Sequence, residues 1–436
     1  MARSRSILIL SSLPPEHSAG LGLDLMKALS LNGDEVTFFS RWHSKLNSQH
    51  IKSMHRTAWQ HLVSFFVSKR RYRKIFRDEL KGAPLINGIR KFYPNEKKPQ
   101  ESTGRILDQI HGKYDYIVTL FWQGMYNTTT LKALSDKFRC PVLIYAVDMA
   151  SITGGCYYFN SCKGYTRQCG ACPGLDSSDP YDRSHTNYIT KKNNYAQCNA
   201  SFIGNTWMTG CAQQSNLFDP DHIFHSGLVM DKNLFSPAHD IDKVRSGLAS
   251  SPEYRYIFFA RSADDPRKGS SYIIEAIKDI RKKLSPQRSK EILIVTAGHN
   301  DTIGEALRQD GVPVMHMGMV DTPTLIELYQ SSTAFISAST DDAGPSMINQ
   351  SILCGTPVIS FATGVALDVV IDGISGWRIP IGNTDSLSGA ILDCISMSAQ
   401  EYRHLRESSR ETGIAHNSYE AISRDFEKIY AKYETL

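Results

Sequence analysis

Residues 256–283 read YIFFARSADDPRKGSSYIIEAIKDIRKK and contain one complete unit of a strand, a loop and a helix, which recurs along the chain. The run 256–260 is apolar and aromatic throughout, which is typical of a strand buried on both faces. A polar loop with Pro266 and Gly269 follows, and 271–283 has the apolar spacing of an amphipathic helix. The stretch therefore predicts a strand, a loop and a helix in that order.

The same alternation recurs along the chain and predicts parallel sheets covered by helices on both faces. Further strands are predicted at 7–11, 35–39, 116–121, 142–147, 201–204, 292–297, 312–315, 334–337 and 357–360. Further helices are predicted at 21–29, 126–138, 187–197, 207–214, 322–331, 346–353 and 400–436. The fold class is therefore α/β, with two doubly wound, Rossmann-like parallel-sheet domains.

A polar, turn-rich linker at 226–252 separates the two alternating blocks. We assign residues 1–230 to the first domain, 231–415 to the second and 416–436 to a C-terminal helix. Ligands of doubly wound sheets bind at the carboxyl ends of the strands. We therefore expect a binding cleft between the two domains.

The composition excludes several classes of protein. Of 436 residues, 41% are hydrophobic and 21% are charged, which is an ordinary globular mixture and excludes a disordered or fibrous chain. No apolar run reaches the roughly 18 residues that a membrane span needs. Nine cysteines do not form a disulfide scaffold in a chain of this length. We expect a cytoplasmic protein.

The charge is uneven. Residues 41–98 hold fifteen lysines and arginines against three acids, although the whole chain carries only +5. An aromatic and aliphatic stretch, 59–67, leads directly into the cations at 69–74. One interpretation is a solvated basic helix. Another is peripheral contact with anionic lipid headgroups on the inner face of the cell membrane. Nucleic acid is not an expected partner, because no recognised binding motif accompanies the charge.

Two glycines open the first helix of the chain. Gly20 and Gly22 match the start of the dinucleotide motif G-x-G-x-x-G, but Leu25 occupies the third position. The second strand ends at Arg41, where an NAD site needs an acid, so nicotinamide chemistry is excluded. The glycines can still bring backbone N–H groups to an anion. The alternative is a simple turn into the helix.

The second block carries cations and an acidic loop where ligands are expected. Arg261 ends a strand and Lys268 precedes the next helix, so both can bind a diphosphate. The loop Ser339-Thr340-Asp341-Asp342-Ala343-Gly344-Pro345 then enters a helix at Ser346, with Gln350 about one turn further on. A carboxylate there can accept from sugar hydroxyls, and free helix N–H groups can face a phosphate.

Together these motifs resemble the retaining, two-Rossmann-domain (GT-B) glycosyltransferases of glycosyltransferase family 4. Asp342 to Gln350 has the spacing of that family's E-x7-E motif, and Leu353 to Ile359 resembles its A-C-G-T-P-V-I segment. The chain is most similar to the branch that builds colanic acid and O antigen. Its H-D-M-W-x-x-T-G-G-C…C-G-x-C-P element is matched by the residues from Asp148 to Cys156 and from Cys169 to Pro173.

The resemblance implies transfer of a hexose from a nucleotide diphosphate sugar to a hydroxyl of a lipid-linked saccharide, with retention. It implies an N-terminal acceptor domain, a C-terminal donor domain and a last helix that crosses back to the first domain. The implied catalytic residues are Asp148, Arg261, Lys268 and Asp342. The implied donor-binding residues are Gly20, Gly22, Arg261, Lys268, Asp342, Ala343, Gly344, Pro345, Ser346 and Gln350. No cofactor is required for the chemistry, because fixed cations neutralise the leaving group.

Two residues depart from the family's pattern. Gln350 replaces the second glutamate, and Val147 replaces the histidine before Asp148. An amide loses the charge-assisted hydrogen bond of a carboxylate, and valine can neither donate nor accept. They leave two alternatives: a catalytically degenerate protein that binds nucleotide sugar or a partner enzyme, and a zinc-stabilised basic nucleic-acid binder.

Four cysteines lie within the insertion 148–181. Cys156, Cys162, Cys169 and Cys172 have the spacing C-x5-C-x6-C-x2-C. Four thiolates suit a structural zinc or an iron–sulfur cluster. Free or disulfide-paired cysteines are the alternative. A bound zinc would pin the loop beside Asp148.

Overall fold

The structure is a computed structural model that describes residues 4–54, 85–86, 89–90, 95–248 and 254–434. The chain divides into two compact units. Unit 1 comprises Met1–Val229 and Ile422–Leu436, and unit 2 comprises Met230–Ala421. Each unit is built around its own sheet.

Unit 1 contains a seven-stranded sheet in the order β3-β2-β1-β6-β7-β8-β9, and every pair is parallel. Its strands are β1 (Ser6–Ser11), β2 (Glu35–Ser40), β3 (Ile51–Ser53), β6 (Tyr116–Thr119), β7 (Val142–Tyr145), β8 (Ser201–Gly204) and β9 (Ile223–His225). An antiparallel pair, β4 (Leu85–Ile86) and β5 (Ile89–Arg90), stands apart from the sheet. The helices of unit 1 are α1 (His17–Ser30), α2 (Thr103–Gln109), α3 (Thr128–Phe138), α4 (Arg183–Gln197) and α5 (Thr206–Ser215).

Unit 2 contains a six-stranded sheet in the order β12-β11-β10-β13-β14-β15, again with every pair parallel. Its strands are β10 (Tyr256–Arg261), β11 (Ile292–Ala297), β12 (Val314–His316), β13 (Ala334–Ser337), β14 (Val358–Phe361) and β15 (Gly376–Ile379). Its helices are α6 (Ile241–Leu248), α7 (Ser270–Lys283), α8 (Pro286–Lys290), α9 (Thr302–Arg308), α10 (Thr322–Ser331), α11 (Ser346–Leu353), α12 (Ala366–Val369), α13 (Thr384–Ser396) and α14 (Ala399–Asn417).

These two parallel sheets confirm the predicted α/β class. In each sheet the strand order reverses once, between β1 and β6 in unit 1 and between β10 and β13 in unit 2. A crevice opens at such a point because the loops on its two sides run to opposite faces of the sheet. The reversal therefore marks the carboxyl ends of β10 and β13 as the place in unit 2 where a ligand is expected.

The tail is two helices rather than the one predicted over 400–436. The chain leaves the helical region at Ser418, where φ is −64° and ψ is 159°, and it continues as α15 (Tyr419–Glu434). Residues of α15 pack on unit 1: Arg5 donates to Glu427 at 2.8 Å, and the rings of Tyr116 and Tyr430 lie 4.5 Å apart.

Other elements also differ from expectation. The predicted linker 226–252 contains α6, so it is partly helical. The edge strands β3, β9 and β15 and the helix α13 were not predicted. Each of these strands has three or four residues, too few to produce a clear alternation.

Candidate functional site

Three predicted residues lie at the end of β10 or in the loops after β10 and β13, the two strands at which the strand order of unit 2 reverses. Arg261 is the last residue of β10 and is exposed. Lys268 ends the turn after it, and its ammonium contacts the carboxylate of Asp342 in the loop after β13. Lys268 is mostly buried and Asp342 is buried, so solvent screens this ion pair less than it would a surface pair.

The two loops are joined by contacts that the sequence did not predict. Arg267 is buried and donates to the backbone oxygen of Asp341 at 2.8 Å and to the Asp265 carboxylate at 2.6 Å. The N–H of Thr340 donates to the backbone oxygen of Arg267 at 2.8 Å. These bonds fix the turn that carries Lys268 against the loop that carries Asp342.

Glycine is required at the junction between Lys268 and α7. Gly269 has a φ of +72°, and a Cβ there would collide with the backbone oxygen of Ala338. Because only glycine combines this conformation with so close an approach, the turn fixes where Lys268 lies.

The acidic loop leads into a helix as predicted. Pro345 precedes α11, whose first residue is Ser346. The Asp342 carboxylate also accepts from the N–H of Gly344, at 3.3 Å. Ala343 is buried, whereas Gly344, Pro345 and Ser346 are partly exposed. The free N–H groups of the first turn of α11 thus lie beside the Lys268–Asp342 pair.

Gln350 has a partner that the sequence did not indicate. Its side chain is buried, and its Oε1 accepts from the hydroxyl of Tyr329 on α10 at 2.9 Å. Burial raises the pKa of Tyr329 well above its usual value, so this hydroxyl stays protonated and donates. The amide oxygen is therefore already used within unit 2.

The two N-terminal glycines lie inside α1, not in a loop before it. The helix begins at His17 because the N–H of that residue already bonds to the carbonyl of Pro14, at 3.0 Å. Gly20 has a φ of +83°, and a Cβ at Gly22 would lie 2.7 Å from the Cα of Pro15. Close packing accounts for Gly22, and donor binding by either glycine stays a prediction.

Asp148 lies just beyond the carboxyl end of β7 and is half-buried. Its carboxylate accepts from the side chain of Gln123 at 2.6 Å and from the N–H of Ala150 at 2.8 Å. Burial raises the pKa of Asp148 to about 6, although these bonds and the Lys191 ammonium act in the opposite direction. The carboxylate is thus ionised at neutral pH and close to titrating.

The four predicted zinc ligands are free thiols near one another. Burial, followed by the neighbouring thiols, raises the pKa of Cys156 to about 12. Cys162 accepts the backbone N–H of Gly164 within one turn, at 3.3 Å, and Cys169 accepts that of Gly154, fifteen residues earlier in the chain, at 3.2 Å.

In the part of the chain that the structure describes, no three His, Cys, Asp or Glu side chains are grouped to hold a metal ion. Zinc binding by the four cysteines stays a prediction.

Most of the basic segment 41–98 lies outside the described residues. The same is true of the aromatic stretch at 59–67 and the cations at 69–74. Among the helices that the structure describes, none combines the length and the apolar character needed to cross a membrane.

Comparison with known proteins gives a family match in unit 2. Residues 240–412 match the family model described as glycosyl transferases group 1. This region includes Arg261, Lys268 and Asp342. A comparison with curated protein sequences finds no match.

Solved structures match nearly the whole chain at low identity. The Anabaena protein HepE in complex with UDP-glucose has 15% identity and a TM-score of 0.62, covering 98% of this chain and 100% of its own. Sucrose-phosphate synthase from Thermosynechococcus elongatus has 16% identity and a TM-score of 0.61, covering 99% and 100%. WaaG, a glycosyltransferase involved in lipopolysaccharide biosynthesis, has 11% identity and a TM-score of 0.58, covering 97% and 99%.

The fold is GT-B. Both sheets of this GT-B chain have the parallel pairing that the sequence predicted, and the family match lies on unit 2. Sequence reasoning missed Arg267, Tyr329 and Gln123. Arg267 precedes Lys268 and could have been noticed as a second cation in the same turn. Tyr329 and Gln123 belong to no motif, and only tertiary packing brings them to their partners.

Proposed function

We propose that this protein is a retaining hexosyltransferase that uses a nucleotide diphosphate sugar as its donor. The observation that carries the proposal is the Lys268–Asp342 pair, which joins the loops after β10 and β13 where the strand order of unit 2 reverses, with exposed Arg261 at the end of β10. The region that matches glycosyl transferases group 1 contains all three residues, which supports the proposal. The UDP-glucose bound by HepE makes a UDP-sugar the first donor to test.

In this proposal unit 2 stabilises the leaving nucleoside diphosphate. Negative charge develops on the diphosphate as the bond to the sugar breaks, and preorganised cations stabilise it without rearrangement. Arg261 can bind two oxygens at once, whereas Lys268 acts as a point charge. Asp342 accepts from sugar hydroxyls, and the N–H groups at the start of α11 face the phosphate. The leaving phosphate takes the acceptor proton, so no protein base is assigned.

The acceptor side is assigned to unit 1. We propose that Asp148 orients the acceptor hydroxyl, and that the acceptor is a lipid-linked saccharide of a surface polysaccharide. The involvement of WaaG in lipopolysaccharide biosynthesis and the resemblance to the colanic acid and O-antigen branch support this class. Cytoplasmic location, with peripheral contact through the basic segment, belongs to the same proposal.

A thermal-shift panel of UDP-, GDP-, ADP- and dTDP-sugars tests the donor site. We expect one nucleotide class to raise the melting temperature, because a ligand at 100 times its Kd adds about 2.7 kcal/mol to the free energy of unfolding. No shift with any member would contradict the donor site.

Gln350 favours a second candidate, a degenerate nucleotide-sugar binder, because its amide oxygen is already bonded to Tyr329. Turnover by a Val147→His, Gln350→Glu variant, with none by the wild type across a saccharide acceptor panel, would support that candidate. Turnover by the wild type would exclude it.

The pH dependence of transfer tests the role of Asp148. Its pKa is raised to about 6, so below that pH the carboxyl is protonated and loses the charge-assisted hydrogen bond from the acceptor hydroxyl. We expect the transfer rate to fall as pH decreases through about 6 and to be constant above it. Asp148→Asn should be slow and should lack this transition, and a transition of equal midpoint in the variant would contradict the assignment.

A further inference from the structure

One face of α4 holds the loop that carries Asp148. Asn187 donates to the backbone oxygen of Gly154 at 3.0 Å, and Tyr195 donates to that of Ser151 at 2.9 Å. Between them Lys191 donates to the backbone oxygens of Thr153, at 2.9 Å, and of Ala150. The three side chains follow one another at intervals of four residues, so they lie in a row along one face.

The central member of this row is a fully buried charge. Lys191 and Glu96 are both 0% exposed, and their charged atoms lie 3.4 Å apart. Glu96 is itself fixed, because its carboxylate accepts from the N–H of Thr128 at 2.9 Å and from the hydroxyl of that residue at 2.7 Å. Burying two charges costs several kcal/mol per ion, so such a pair is weak evidence for a purely stabilising role.

A direct chain of bonds joins Lys191 to Asp148. The backbone oxygen of Ala150 accepts from the Lys191 ammonium, and the N–H of Ala150 donates to the Asp148 carboxylate at 2.8 Å. On its other side the Asp148 carboxylate accepts from Gln123. Asp148 is thus held between the loop fixed by Lys191 and a side chain that follows β6.

We propose that Lys191 is a positioning residue for Asp148, fixing the loop that carries it. The proposal rests on the acceptor-orienting role assigned to Asp148 above. A charge with no access to solvent thus holds in place the loop of a residue that we assign to the acceptor.

The positive charge of Lys191 favours the ionised form of the Asp148 carboxyl. The Lys191 ammonium lowers the pKa of the carboxyl, against burial, which raises it. The hydroxyl of Tyr126 is the other titratable group that interacts with Asp148, and burial keeps it neutral by raising its pKa well above its usual value. Removing the ammonium should therefore raise the pKa of Asp148.

The test is a carbon NMR titration of the full chain with labelled aspartate carboxyls, in which Asp148→Asn identifies the Asp148 signal. In Lys191→Met we expect the midpoint to rise above about 6, because loss of an opposite charge disfavours the ionised carboxyl. The matched control is Lys192→Met. It removes the same charge from the next, exposed residue and should leave the midpoint unchanged.

Lys191→Met alone leaves Glu96 buried without its cation and can fail to fold. The double variant Lys191→Met, Glu96→Gln removes both charges, so its midpoint is compared with that of Glu96→Gln, in which the ammonium remains, and should be the higher of the two. Equal midpoints in the folded double variant and in Glu96→Gln would overturn the proposal.

The kinetic readout separates this proposal from the proposed function. We expect the double variant to lower the transfer rate at neutral pH while its affinity for UDP, measured by calorimetry, stays that of the wild type. A wild type that binds no nucleotide and transfers no sugar would overturn the proposed function, and the titration would still decide the role of Lys191.

Discussion

Replacing Arg261 and Lys268 together by alanine should weaken UDP binding by about 100-fold or more. A hydrogen bond to a charged group contributes roughly 1.5–3 kcal/mol, and the variant removes at least two of them from the diphosphate. Both cations lie in the segment that joins β10 to α7, Arg261 as the last residue of the strand and Lys268 at the end of the turn that follows. Isothermal calorimetry with UDP measures the loss directly.

Folding must be separated from binding, because Lys268 also neutralises buried Asp342. Arg261→Ala alone changes an exposed residue, so it should fold normally and lose about 10-fold in affinity. Lys282→Ala with Arg288→Ala removes two exposed cations from the same unit and serves as the matched control. If the Arg261, Lys268 variant bound UDP as tightly as this control, the donor site would be wrongly placed.

The central strands could be predicted because burial on both faces leaves a clear mark in the sequence. Strand β11 is buried at all six positions, and its sequence, ILIVTA, is an almost continuous apolar run. The edge strand β3 reads IKS and is not buried at any position. Burial, rather than strand propensity, produces the pattern, so the edge strands β3, β9 and β15 are missed, and the edge strand β12 is found with shifted bounds.

Some residues of the candidate site could likewise be predicted from the sequence, and others could not. Arg261 and Asp342 could be predicted because strand ends in a parallel sheet meet at one edge. Lys191 could not, because it stands next to Lys192 in a helix of polar composition and nothing local shows which of the two is buried. Tyr329 and Gln350 are 21 residues apart in the chain and lie on different helices, so their hydrogen bond depends on how α10 and α11 pack.

Gly269→Ala should be among the most destabilising single substitutions in unit 2. An alanine at a φ of +72° is strained, and its Cβ would collide with a backbone oxygen that cannot rotate away, that of Ala338. We expect a loss of about 3 kcal/mol or more in the free energy of unfolding. This corresponds to a melting temperature lower by roughly 6–12 °C for a unit of this size.

The same substitution should also impair UDP binding, because relief of the collision moves the turn that places Lys268 away from β13. Gly389→Ala is the control: Gly389 lies inside α13, and a Cβ there meets nothing within 4 Å. Alanine is the better helix former, so this variant should be more stable by about 0.5–1 kcal/mol and should bind UDP normally. Differential scanning calorimetry of the two variants and the wild type measures the melting temperatures to be compared. A Gly269→Ala protein that melted with the wild type and bound UDP equally well would show that the turn does not set the position of Lys268.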